Sequence, residues 1–145
     1  MKTKITSIAV AAIVLTACAG AAQSQTPGPR TTKVEINTGT AERPLIWIDQ
    51  EPIIVRSQKV RIEWQIATEG YEFPKDGIVF TKAPPDEFVC GVDEKDRRIF
   101  ACVDRNSQGS TSGPVRYKYT IKVQPAKGAK VPQPPRLDPS VWNDR

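Results

Sequence analysis

The sequence predicts an all-β protein with the fold of a single Greek-key β-sandwich that carries one disulfide. Apolar and polar residues alternate with period two in several short segments, which is typical of half-buried strands. Clusters of Gly, Pro, Asn, Asp and Ser separate these segments, and none of them shows a helical period. Seven or eight short strands separated by turns favour a sandwich.

Two segments carry the clearest strand pattern. In VRIEWQIA (60–67) and VRYKYTIKV (115–123), every second residue is apolar, so each segment has one core face and one polar face. Shorter apolar or alternating runs predict the remaining strands at 34–36, 45–49, 52–56, 77–80, 88–92 and 98–104.

The cysteines predict a β-hairpin. FVCGV (88–92) and RIFACVD (98–104) flank a charged stretch that reads as a turn. If Cys90 lies opposite Cys102, then Val92 lies opposite Phe100, and these four residues share one face with Phe88. We therefore expect a structural cross-strand disulfide in the core, because redox pairs usually have Cys-x-x-Cys spacing.

The first 17 residues are predicted to be a signal peptide. Lys2 and Lys4 precede an apolar run that ends at Leu15, which is shorter than the ~20 residues that span a bilayer. The sequence LTAC (15–18) resembles the lipobox of bacterial lipoproteins. That resemblance implies cleavage before Cys18 and lipidation of its thiol. It also implies a domain that faces the periplasm, with Ala19 favouring the outer membrane.

An ordinary cleavage near Ala19 is the alternative. It would discard Cys18 and give a soluble periplasmic or secreted protein. On either route Cys90 and Cys102 remain as a pair, and an envelope compartment permits them to form a disulfide.

The mature chain divides into three predicted parts. Residues 18–32 form the lipid-attachment cysteine and a flexible linker, and residues 33–123 form the sandwich domain. Residues 124–145 form a proline-rich C-terminal tail, which we expect to be extended because proline interrupts helices.

The domain resembles two sandwich families in general pattern. Trp64, in a central alternating strand, resembles the core tryptophan of immunoglobulin-like domains, and IIVRSQKVRIEWQI (53–66) resembles the early strands of cupredoxins. The resemblance implies a fold and no site. Both cysteines follow Trp64, unlike the immunoglobulin disulfide. The copper ligands of cupredoxins are missing, since the chain has no histidine and its only methionine is Met1.

The composition argues against most enzyme chemistry. Without histidine there is no Ser-His-Asp triad and no imidazole base, and no phosphate-binding glycine motif is present. The pairs Asp93 with Asp96 and Glu69 with Glu72 are predicted to be solvated turn charges. We expect no catalytic residue, no cofactor and no metal. A net charge of +5 with both signs interspersed also argues against nucleic acid as a partner.

Three surfaces are candidates for partner binding. The first is a basic strand face, which Arg61 on a neighbouring strand would extend. The alternative is that this face is only a solvated edge. Two loop aromatics are contact anchors or instead cover one end of the sandwich. Apolar tail residues either pack on the domain or dock into a partner as an extended segment. The candidates are Arg116, Lys118 and Lys122 for the strand face, Tyr71 and Phe73 for the loop, and Leu137 and Trp142 for the tail.

These observations predict a non-catalytic envelope lipoprotein that binds another envelope or secreted protein. It would be an inhibitor or immunity protein, or an accessory subunit of an envelope assembly. The alternative is a structural lipoprotein that assembles with itself or binds peptidoglycan.

Overall fold

A computed structural model describes residues 28–37, 44–108 and 113–144. These ranges contain eleven β-strands and no helix, and they confirm the predicted all-β sandwich with one disulfide. The strands are β1 (Arg30–Asn37), β2 (Leu45–Ile48), β3 (Ile53–Val55), β4 (Val60–Ile66), β5 (Tyr71–Glu72), β6 (Ile78–Thr81), β7 (Phe88–Val92), β8 (Ile99–Asp104), β9 (Val115–Ile121), β10 (Gln124–Pro125) and β11 (Ser140–Asn143).

The first sheet has five strands in the order β2-β1-β4-β8-β7. β1 runs parallel to β4, and the other neighbouring pairs are antiparallel. In β4 the burial follows the predicted alternation, with the apolar side chains inward and the polar ones outward. This order leaves β2 and β7 as the edge strands of the first sheet.

The second sheet has four strands in the order β3-β11-β9-β6. β11 runs parallel to β3 and antiparallel to β9, so it joins the two. A further two-stranded sheet joins β5 to β10. The chain crosses between the larger sheets at β2–β3, β3–β4, β6–β7 and β8–β9, and from β4 to β6 by way of β5; such crossings are typical of Greek-key sandwiches.

The core lies between the inner faces of the two larger sheets and is built around aromatic rings. Trp64 is fully buried, as predicted, and its indole N–H donates to the Tyr119 hydroxyl over 3.2 Å. Phe73 meets Phe100 edge to face, with ring centroids 5.6 Å apart. Buried aromatics contribute large apolar areas, and Trp64 also has a partner for its one polar atom.

The predicted hairpin and its register are confirmed. Cys90 pairs with Cys102 across β7 and β8, their Cα atoms lie 4.0 Å apart, and Val92 pairs with Phe100. The expected burial is correct for only one half of the disulfide. Cys102 is fully buried, whereas Cys90 is exposed because β7 is an edge strand with no neighbour on its outer side.

The sheets extend beyond the predicted domain bounds, 33–123, at both ends. β1 begins at Arg30 inside the predicted linker, because residues 30–34 pair with β4. The predicted tail supplies β10 and β11. Cys18 and the predicted signal peptide lie outside the described residues.

Val141 and Val79 offer a matched test of how much β11 stabilises the fold. Val141 in β11 is fully buried, whereas Val79 in β6 is 41% exposed. We expect Val141→Ala to lower the free energy of unfolding by about 2 kcal/mol, because two buried methyl groups are removed. Val79→Ala should change it by less than about 0.5 kcal/mol. Urea unfolding checks both values, and equal effects would show that β11 is not an integral strand.

Candidate functional site

The two aromatic rings predicted as loop contacts belong to the core. Tyr71 and Phe73 expose 1% and 0% of their surface. The Tyr71 hydroxyl donates to the backbone carbonyl of Pro132 over 2.9 Å, and the same burial raises the pKa of Tyr71. These rings offer no contact area to a partner. The C-terminal segment covers Tyr71, whereas Phe73 packs against Phe100.

The predicted basic face is smaller than the sequence indicated. Arg116 and Lys118 are exposed on the outer face of β9. Lys122 lies beyond the end of β9 and forms an ion pair with Asp76, whose pKa is lowered by this bond. Arg61 belongs to β4 in the other sheet and cannot extend this face. Two exposed cations on a strand are a weak basis for a binding site.

The two predicted tail residues pack on the domain. Trp142 is half-buried in β11, with the Arg116 guanidinium carbon 5.8 Å from the centroid of its ring, a cation–π distance. Leu137 is half-buried, packs against the core and forms a β-bridge with Ile121. Trp142 is therefore part of the sheet, whereas Leu137 keeps a partly open side.

An exposed apolar surface lies on β2, which the sequence predicted only as an apolar strand. Leu45 and Trp47 are 60% and 54% exposed, and their side chains lie on the outer face of this edge strand. Ile46 and Ile48 face the core. Edge strands usually carry charged residues or proline, which prevent pairing with other chains. Two large exposed apolar side chains on an edge therefore indicate a contact surface.

The backbone of β2 is open on the side away from β1. The Asp49 N–H donates to the Lys33 carbonyl over 3.2 Å, and residues 45–48 continue this antiparallel register with β1. In such a ladder alternate residues point their N–H and C=O groups away from the partner strand. The outward groups belong to Ile46 and Ile48, and no strand of the described residues pairs with them.

A groove runs beside this open edge. Its volume is about 300 Å³, and its apolar walls come from β2 on one side and from the segment that leads into β11 on the other. The lining residues are Ile46, Trp47, Ile48, Glu51, Leu137, Asp138 and Pro139. The structure thus brings Leu137, a predicted contact residue, next to Trp47, which the sequence did not single out. We use the name β2 site for the surface made of three parts: this groove, the open backbone edge of β2 and the exposed Leu45.

A buried polar cluster lies at the end of the sandwich where β8 and β11 finish. The Asn143 amide nitrogen donates to Asp104 Oδ1 over 3.2 Å and to Glu87 Oε1 over 3.3 Å. Ser107 also donates to Glu87 through its N–H and its hydroxyl. Glu87 and Asp104 expose 1% and 0% of their surface, so a dissolved substrate has no contact area on them. This cluster links the two sheets.

The cluster changes the acidity of one carboxyl group. Burial raises the pKa of Asp104 to about 6, and the nearby Glu87 carboxylate adds to this effect. Hydrogen bonds from the Asn106 N–H and from Asn143 act in the opposite direction. The second oxygen of Asp104 has no hydrogen-bond partner within the described ranges, which is consistent with the dominance of burial.

The described ranges contain no cluster of three or more acidic or cysteine side chains that could hold a metal ion. Within the same ranges there is no helix long and apolar enough to cross a membrane.

A scan against protein-family models and a search of curated proteins found no match for this chain. The functional assignment therefore rests on the residues of this chain. Among the features described above, the β2 site is the one best explained as a binding surface.

Asp104 should make stability depend on pH in a defined window. Its folded pKa of about 6 exceeds its ordinary value of 3.8, so the folded state holds a proton that the unfolded state releases. The contribution of Asp104 to the free energy of unfolding is fully present below about pH 3.8. It is lost as the pH rises through about 6, a change of about 3 kcal/mol.

Asp104→Asn should remove this contribution, because the side chain then stays neutral throughout. The measurement is the free energy of unfolding in urea at pH 4, 5, 6 and 7 for both proteins. Glu94→Gln, a change at an exposed turn residue, is the control. If the free energies of unfolding of the wild type and of Asp104→Asn differ by the same amount at all four pH values, the raised pKa of Asp104 is contradicted.

Proposed function

We propose that this protein is a non-catalytic lipoprotein of the bacterial envelope whose periplasmic domain binds another protein at the β2 site. The domain would bind an extended segment of its partner by strand addition. The single observation that carries this proposal is the pair of exposed apolar residues, Leu45 and Trp47, on an unpaired edge strand. The lipid anchor rests on Cys18 in the sequence LTAC (15–18).

Strand addition uses the three parts of the β2 site together. The outward N–H and C=O groups of Ile46 and Ile48 supply main-chain hydrogen bonds, which give affinity without regard to sequence. Because side chains alternate along a strand, the added segment would place every second side chain in the groove beside Leu137. The other side chains would lie next to Leu45 and Trp47 on the outer face.

Trp47 is suited to be the main contact of this surface. Tryptophan is enriched among the residues that dominate binding energy at protein interfaces. About half of the Trp47 surface is exposed (54%), and its neighbours on β1 are Lys33 and Glu35, whose ion pair has an N–O distance of 2.7 Å. An apolar residue bordered by polar neighbours has the arrangement of an interface centre and rim.

This mode of binding fits two biological roles. As an inhibitor or immunity protein, the domain would bind a cell-wall-degrading enzyme through a segment near its active site. As an accessory subunit, it would hold an extended segment of an envelope assembly. The anchored Cys18 and the linker that follows would keep the β2 site near the membrane in both cases.

The same edge favours a second candidate function, a structural lipoprotein that assembles with itself. An antiparallel pair of β2 strands related by a two-fold axis would place Ile46 of one copy opposite Ile48 of the other. The exposed edge would then be covered in a dimer. Light scattering across a concentration series would reveal such a dimer, and a monomer throughout would exclude it. Binding to peptidoglycan, the other form of this alternative, has no specific feature in its favour.

A pull-down with matched variants tests the proposed function. The bait is the full-length lipoprotein, and the extract contains detergent-solubilised envelope proteins and secreted proteins. The double variant Leu45→Lys with Trp47→Lys should lose capture of the partner more than tenfold, because two charges on the edge oppose strand pairing. The control is Val89→Lys on β7, where Val89 is 53% exposed on the opposite edge of the same sheet.

Capture that is lost only in the double variant would support the proposal, and capture that is unaffected by it would contradict the site. If the captured protein is a wall hydrolase, the wild-type protein should reduce its lytic activity and the double variant should not. That result would distinguish the inhibitor role from the accessory role.

The lipid anchor has a separate test. Cys18→Ser removes the thiol that would be acylated, so the variant should move from the detergent phase to the aqueous phase on Triton X-114 partition. A variant that partitions like the wild type would remove the lipoprotein part of the proposal.

A further inference from the structure

Among the described residues, the groove of the β2 site carries charge of one sign, which indicates the chemistry of the segment that occupies it. We infer that the occupant is an extended segment of another protein in which apolar residues alternate with lysine or arginine. This inference rests on the proposed function and adds the kind of partner that the β2 site fits.

Two carboxylates line the groove, and no cationic side chain of the described residues does. Glu51 and Asp138 lie among the lining residues, and the other lining residues are apolar. Asp49, directly after β2, accepts a hydrogen bond from the Lys33 N–H over 2.8 Å, so its carboxylate lies on the β1 side and not at the open edge. The nearest basic side chain along β1, Lys33, pairs with Glu35 on the outer face.

The negative charge of the groove is not neutralised within the described part of the chain. Glu51 accepts hydrogen bonds from the Ser140 N–H over 3.0 Å and from the Ser140 hydroxyl over 2.8 Å. Asp138 accepts one from the Thr120 hydroxyl over 2.7 Å. All of these donors are neutral, and neither carboxylate is in an ion pair among the described residues. These hydrogen bonds hold both carboxylates in position and leave their charge available to a ligand.

This arrangement selects between two occupants of the edge. A second copy paired about the two-fold axis described above would place its Leu45 opposite Asp49, and its β2 residues, LIWI (45–48), offer no cation to Glu51 or Asp138. A basic segment would instead place its cations near these groups, which favours both association and the correct register. Charge complementarity therefore favours a basic partner over self-assembly at this edge.

The alternation of the occupant follows from the geometry of β2. Leu137 and Pro139 form the apolar wall of the groove, whereas Glu51 and Asp138 supply its charge. Successive residues of an added strand point to opposite faces. Apolar side chains on one face of the segment would contact Leu45 and Trp47 on the outer face. Cations on its other face would point into the groove and reach Glu51 and Asp138.

Synthetic peptides test this chemistry directly on the full-length protein in detergent. One eight-residue peptide alternates valine with lysine, and a second alternates valine with glutamate, so the two share length and strand propensity. A third has the lysine sequence with N-methyl groups on alternate residues, which removes the hydrogen-bond donors of one edge. The readouts are the amide resonances of Ile46 and Ile48 and the dissociation constant at 50 and 300 mM NaCl.

The lysine peptide should shift both amide resonances and bind at least tenfold more tightly than the glutamate peptide at 50 mM NaCl. Its affinity should fall at 300 mM NaCl, because salt screens exposed charges. The N-methylated peptide should not shift the two resonances. The double variant Glu51→Gln with Asp138→Asn should bind the lysine peptide about tenfold more weakly. Glu94→Gln, on a turn at the far edge of the sheet, should bind it like the wild type.

The outcomes separate the charge inference from the strand-addition proposal. If both peptides shift Ile46 and Ile48 equally, the inference about a basic partner is overturned and strand addition stands. If the double variant binds the lysine peptide as the wild type does, the assignment of Glu51 and Asp138 is overturned. If no peptide shifts either resonance, both the inference and strand addition at this edge are overturned.

Discussion

The second sheet depends on one short strand, β11, which the chain supplies from its C-terminal segment. β11 lies between β3 and β9, and no other strand of the described residues connects these two. Val141 fills the core from this strand, and Asn143 donates to carboxylates that precede β7 and end β8 in the first sheet. Strand pairing, apolar burial and buried hydrogen bonds therefore all act at the same four residues. Removing one partner of such a buried network leaves polar groups unsatisfied, which makes this contact costly to lose.

The path of the chain into β11 also creates the β2 site. Residues 137–139 must pass the edge of the sandwich before β11 begins, and there they form the wall of the groove opposite β2. Leu137 is held in place by its bridge to Ile121, and Glu51 is held by the N–H of Ser140, the first residue of β11. The constraint that completes the second sheet thus positions both the apolar wall and one of the acidic groups. A surface built on paired strands is more rigid than one built on loops, which favours binding.

The sequence predicted the parts of the fold whose signal is local. Period-two alternation identified β4 and β9, and the two cysteines gave the register of the β7–β8 hairpin. β11 was not predicted, because four residues after a run of prolines carry no alternation long enough to recognise. Its strand form comes from the neighbours β3 and β9, and the contact with β3 joins residues 88 positions apart in the sequence.

The site residues were harder to predict, because exposure depends on which strands become edges. Tyr71 and Phe73 lie among charged residues, and the sequence left open whether they are contact anchors or cover one end of the sandwich; both are buried. Trp47 lies in an almost wholly apolar run, LIWID (45–49), and such a run suggests burial on both faces. It is exposed because β2 is an edge strand with nothing on its outer face. Sheet order is a property of the whole chain, and a local pattern contains no information about it.

Site-specific photo-crosslinking in intact cells tests the central claim most directly, since it reports contacts of the β2 edge in its own compartment. A benzophenone amino acid would replace Leu45 on β2 in one strain and Val89 on β7 in another, two positions of similar exposure on opposite edges of one sheet. The account predicts a covalent adduct with another protein at position 45 and none at position 89. Adducts of equal yield at both positions, or an adduct at position 89 alone, would contradict it.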